Sequence, residues 1–306
     1  MFTTAHGYLS AVKGLRSSTG WVDYWKALEM DASGRVRAEV YGNGIVNNYR
    51  FNEATGDLET INSGLLSLNP VRHLDYEYDT YKNVTLRDDR VNDIRETFTY
   101  DRLDRLTKTQ VSSNKYTHNE FNENYHTSYD AFGNITSKTG VGQYTYGQHG
   151  AGPNAVTYAA GSTYRYDANG NMTSGNDRSI QWSSYNKPTR VTQQGRSATF
   201  KYGPDRARFQ KTNHQGDITL YIGKLYEEVR KASGAKEYKH YVYAAGKVVA
   251  EHIVSSQAPL QTLYLHRDAL GSVDLITDAN AEVVDKRSFD AWGKLRNMPW
   301  KEASGI

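Results

Sequence analysis

Apolar and aromatic residues along this chain alternate with polar ones over short stretches, and clusters of Asp, Asn and Gly separate the stretches. A period of two predicts half-buried β-strands, and the Asp/Asn/Gly clusters predict the turns between them. No segment keeps a 3.6-residue period for three turns. The stretch from Tyr24 to Met30 (YWKALEM) has enough helix formers for a turn or two, but reads equally as strand. The stretch from Ile218 to Arg230 has Gly223 in its middle and suits two short strands. The pattern predicts an all-β fold with few if any helices.

A repeat lies inside this alternation. An aromatic residue is followed by Asp, two loose positions, Gly or a polar residue, a polar residue and then an apolar one. The clearest copies are Tyr129-Asp130-Ala-Phe-Gly133-Asn-Ile135, Tyr166-Asp167-Ala-Asn-Gly170-Asn-Met172 and Phe289-Asp290-Ala-Trp-Gly293-Lys-Leu295. Looser copies start at Phe51, Tyr78, Tyr100 and Tyr185. Each copy reads as strand, tight turn, strand. The Asp accepts backbone N–H groups in the turn, and Gly133 supplies a positive-φ position. The aromatic ring packs, and its polar end finds water or a partner. The mid-chain Asp positions 79, 101, 130 and 167 are 22, 29 and 37 residues apart. A strict solenoid keeps a tighter period, so the spacing predicts hairpins of unequal length added to one continuous antiparallel strip.

Composition fits this reading. The 306 residues include 24 Tyr, three times the number of Phe, with 26 Gly and only 6 Pro. Aromatics at 12% argue against disorder. With no Cys there is no disulfide, thiolate metal site or cysteine nucleophile. The opening residues lack a signal-peptide pattern, and no run of 18 apolar residues predicts a transmembrane helix. The formal charge of +3 is small for this length. Arg102, Arg105, Lys108, Arg190, Arg206, Arg208 and Lys211 read as a solvated face of mixed charge, with no nucleic acid as partner.

Candidate chemistry is sparse. His266-Arg267-Asp268 has the letters of a kinase catalytic loop, but Val273 stands where the required Asn would be. Asp268 and Asp274 near His266 could be imagined as an acid–base cluster. The structural reading has His266 bonding a turn, Gly271 turning the chain and Asp268 capping it. Each Asp turn offers one carboxylate where calcium needs several. No catalytic residue, metal site or cofactor is assigned. Tyr144 and Tyr146 stand at alternate strand positions, as do Tyr164 and Tyr166; Tyr144, Tyr146 and Tyr164 are candidate ligand-face aromatics, since tyrosine rings stack on sugar faces.

YDAFGNITS at 129–137 and YRYDANGNMTSG at 164–175 resemble the YD repeats of rearrangement-hotspot (RHS) proteins, found in bacterial toxin complexes, polymorphic toxins and teneurins. YLHRDALGSVDLITDANAEVVDKRSFDAWGKL at 264–295, with His266, Arg267, Asp268 and Gly271, resembles the start of the RHS-associated core. The resemblance implies a β-strip that spirals into a shell around a C-terminal toxin, here expected to be partial. It divides the chain into lead-in strands (1–29), a YD-repeat strip (30–254) and a truncated start of the core (255–306). In some members an aspartyl autoprotease in the core frees the toxin. The matching segment lies beyond what this sequence contains, so no protease role passes to Asp268, Asp274, Asp278, Asp285 or Asp290. The expected function is a non-enzymatic encapsulating module, exported by a toxin delivery system. Expected partners are the toxin cargo, the rest of a shell, or a second copy through exposed sheet edges. The alternative is a β-module that binds carbohydrate or a cell surface.

Overall fold

The computed structural model describes residues 2–5, 7–16, 20–66, 70–116 and 123–297, and these contain no helix. All of the regular structure is β, as the alternation predicts. The stretch from Tyr24 to Met30 lies within one strand, Gly20–Met30. The stretch from Ile218 to Arg230 folds as Ile218–Ile222 and Tyr226–Arg230, with Gly223 between them at φ 63°.

Within each sheet every strand pairs with its chain neighbour, so the sheets are antiparallel meanders without crossovers. Thirteen strands from Phe2 to Gln143 form one sheet, three from Thr145 to Thr163 a second, and thirteen from Arg165 to Lys286 a third. The predicted strip is therefore continuous in order, but its pairing is interrupted twice, each time at a tyrosine. Gly142–Gln143 pairs with Ile135–Lys138, whereas Thr145–Tyr146 pairs with Val156–Ala159. Between them the Tyr144 N–H still donates to Thr136 O at 3.0 Å. Tyr164 makes the same change of partner, donating to Thr157 O at 2.9 Å. The Gly-rich stretch at 140–152 contains two of these short strands.

The repeated unit has one geometry. At Asp130 the backbone N–H donates to Asn134 O (2.9 Å), and Oδ1 accepts the N–H groups of Phe132 and Asn134, both at 2.9 Å. Asn134 Nδ2 closes the turn on Oδ2 at 3.0 Å. Gly133 sits at φ 86°, a left-handed conformation that a side chain would strain. The strand register slips just before the turn, so that Tyr129 pairs with Ile135. Asp31, Asp79, Asp101, Asp167, Asp268, Asp278 and Asp290 accept N–H groups two and four residues on in the same way. Asn213 does so with its amide oxygen.

The chain divides into two compact units. One comprises residues 1–124, 240–253 and 260–306; the other comprises 125–239 and 254–259. Within the first, Trp25, Tyr41, Val249, Ala250 and Tyr264 form an apolar core, and Ile61, Leu74 and Tyr76 form a second cluster. Strand alternation builds both. In Arg72–Tyr78, residues 72, 74 and 76 are buried, whereas 73, 75 and 77 are not.

Candidate functional site

The three clearest repeat copies fall into separate turns, and Phe289, Asp290 and Gly293 of the third line a cavity together with Asp268. Tyr129, Asp130 and Gly133 make one turn, Tyr166, Asp167 and Gly170 a second, and Phe289, Asp290 and Gly293 a third. In the second and in several other copies, the aromatic residue acts beyond its own hairpin. Tyr78 OH donates to Leu58 O (2.9 Å), Tyr100 OH to Val84 O (2.8 Å) and Tyr166 OH to Val156 O (2.7 Å). Trp182 Nε1 donates to Met172 O (2.9 Å), and Tyr202 OH to Pro188 O (2.8 Å). Leu58, Val84, Met172 and Pro188 each restart a strand, and each pairs with the aromatic of the preceding repeat. Each aromatic thus ties its hairpin to the one before.

Of the ligand-face candidates, Tyr146 makes the same link, to Ile135 O at 2.8 Å. Its ring stacks on Tyr144, with centroids 6.4 Å apart. The Tyr164 ring lies against Gly175, where any side chain would collide with it. All three are half-buried.

The RHS-core motif belongs to a buried polar seam within the first unit, where strands between Val36 and Tyr100 meet strands between Lys247 and Thr277 and the segment 288–296. Four clusters make up the seam. In the first, Glu39, fully buried, accepts Trp25 Nε1 (2.6 Å), Tyr49 OH (2.7 Å) and Lys247 Nζ (2.7 Å). In the second, Asn43 Nδ2 donates to Thr277 Oγ1 (2.9 Å), and Thr277 Oγ1 and Asn47 Oδ1 flank the two ring nitrogens of His266, each at 3.0 Å. Asn47 Oδ1 only accepts, which assigns the ring proton to Nδ1 and leaves Nε2 to accept from Thr277. In the third, Arg72 bonds Ser63 Oγ (2.9 Å), Arg267 O (3.0 Å) and Asp274 Oδ1 (2.7 Å). In the fourth, Glu96 lies between the guanidinium groups of Arg87 and Arg296, and both arginines also donate to Phe289 O.

These environments set the charges. Burial, then the cations of Arg72 and Lys247, push the His266 imidazole well below its usual range, so it is neutral. Burial pushes the Asp274 carboxyl up, and Arg72 opposes that shift. His266 is 0% exposed, stacked on Tyr41 at 4.8 Å, and both its ring nitrogens are engaged. It bonds across the seam, not to a turn as expected. Asp268 and Gly271 do form the adjacent turn, with Gly271 at φ 86°. Arg267 caps that turn through Nη1 to Gly271 O at 2.8 Å. The arrangement clamps strands together and leaves its acids, base and cations committed to one another.

Sequence reasoning missed Glu39, Asn47, Arg72, Glu96, Thr277 and Arg296. A signal was present for some of them. Ile94 and Glu96 share one strand phase, as do Arg72, Leu74 and Tyr76, so a charged residue stood in step with core residues.

A family model described as the teneurin YD-shell matches residues 64–297. No curated protein matches the chain. Among solved structures, TcdB2-TccC3 without its hypervariable C-terminal region is similar at 17% identity and a TM-score of 0.76, over 94% of this chain and 16% of that one. TcdB2-TccC3-TEV gives 17% and 0.75, and the Photorhabdus luminescens Tc holotoxin pore gives 19% and 0.75, with the same coverage of 94% and 16%. At these identities the likeness is one of fold, and the chain spans about a sixth of the length of those it matches. The repeated YD turns agree with that match over most of the sequence: the chain belongs to the teneurin YD-shell family.

Proposed function

We propose that the chain is a wall element of an RHS-type shell, a non-enzymatic module that encloses or presents a toxin polypeptide within an exported assembly. The observation that carries this reading is the seam. Arg72, Glu96, His266 and Arg296 are buried and bonded across strands that lie up to 219 residues apart in sequence. Removing one partner of such a buried pair costs about 3–5 kcal/mol, which makes a clamp of this kind a mechanical part. Two further features support it: the turn geometry recurs with different side chains, and the tyrosine links join each hairpin to its predecessor.

Limited proteolysis with trypsin tests the reading. The strands of the first unit should survive as one resistant species, and Arg72→Ala should be cut rapidly inside them. Early cleavage of the wild type within those strands would oppose a wall role. Intact-mass measurement on prolonged incubation tests the non-enzymatic part: the mass should stay constant, and time-dependent self-cleavage would overturn it.

A further inference from the structure

The modest net charge of the whole chain hides a local excess. Between residues 178 and 211 there are eight Lys and Arg and a single carboxylate, Asp205. Among the described residues none of these eight cations forms an ion pair. Turn cations elsewhere do: Arg35 pairs with Asp31, Lys82 with Asp57 and Arg105 with Asp101. The one acid here is already engaged, its Oδ1 accepting the Ala207 N–H at 3.0 Å.

Topology concentrates part of this charge on one rim of the second unit. The strands Arg178–Trp182 through Tyr226–Arg230 form a plain antiparallel meander, so alternate turns lie on the same side. Three turns share that rim: those at 183–187, 203–207 and 223–225. Neighbouring turns are two strands apart, roughly 10 Å. They carry Lys187, Arg206 and Lys224, with Arg208 just inside, all exposed. The same rim displays Ile222 (59% exposed) and Leu225 (60%) at one tip, and Phe209 (42%) beside Arg208. Apolar side chains at a tip, ringed by unpaired cations, match the chemistry of an anionic lipid surface: the apolar groups enter the acyl boundary and the cations meet the headgroups.

A nucleic acid would also satisfy the charge, but it needs free ring faces for stacking. Here the protein's own guanidinium groups already lie over the rings. Arg206 lies 5.6 Å from the Tyr185 centroid, and Arg208 lies 4.6 Å from Tyr221 and 5.5 Å from Phe200. The most exposed apolar groups, Ile222 and Leu225, are aliphatic and suit lipid. We propose that the rim formed by the turns at 183–187, 203–207 and 223–225 is a docking surface for anionic membranes.

Vesicle cosedimentation tests this. The protein should bind phosphatidylcholine vesicles only when they contain phosphatidylserine, and raising the salt should release it. Lys187→Ala with Arg206→Ala should weaken binding by roughly 30-fold, at about 1 kcal/mol per cation. Ile222→Ser with Leu225→Ser should also weaken it, while Leu103→Ser, an exposed apolar tip in the first unit, should not. These side chains are exposed, and an unchanged circular dichroism spectrum confirms that each variant folds. Absence of binding to either vesicle, equal binding to both, or wild-type binding by both rim variants would overturn the proposal. So would tight binding of a single-stranded oligonucleotide that displaces the protein from vesicles.

Discussion

The Asp of the YD motif is a scaffold acceptor whose charge has a pH signature. Hydrogen bonds from the Asn171 side chain and backbone hold the Asp167 carboxyl below its usual range, outweighing its desolvation. A depressed carboxylate contributes stability above its unfolded value of about 3.9, and that contribution is lost as pH falls through the lower folded value. Asn213 fills the same position with an amide and keeps the turn. Asp167→Asn should therefore fold normally at pH 7 and lose less stability than wild type below about pH 4. Equal acid sensitivity in melting experiments would refute this. The tyrosine hydroxyl is just as specific. Tyr100→Phe removes the bond to Val84 O and should cost about 1 kcal/mol in denaturant unfolding, and a neutral result would mean that the link carries no energy.

At the scale of the strand, the informative residues are polar ones in core phase. Arg72 is 2% exposed and meets Asp274 at 2.7 Å. Asp274→Ala should cost about 3–5 kcal/mol because it strands a buried guanidinium. Arg72→Met with Asp274→Leu should recover much of that loss. A double variant as unstable as the single would show that the pair contributes more than mutual neutralisation. Strand alternation and the Asp-Gly turns were legible in the sequence because both are local, and each YD copy carries its turn within seven residues. The partner of each buried charge was not legible. Asn47 and His266 lie 219 residues apart, and nothing in either local pattern names the other.

At the scale of the whole molecule, the neutral, buried His266 links seam integrity to mild acid. Its folded value lies well below the usual one, so the unfolded chain takes up the proton first. Stability therefore falls as pH drops below about 6.5. His266→Gln should lower stability at pH 7.5 yet flatten the decline between pH 7 and pH 5. Parallel thermal-melting profiles for the two proteins would contradict this. The apparent charge balance of the chain was also a whole-molecule average. Pairing in the first unit and its absence at residues 178–211 cannot be read from a net value of +3. The tyrosine links have a different consequence. Each joint needs only an aromatic before one turn and a carbonyl where the preceding hairpin restarts, whatever the length of the arms between. A hairpin can be duplicated, lost or exchanged for a longer one, and its neighbours still meet the same joint. A strip joined this way can change its length by whole hairpins while the joint between neighbours stays the same.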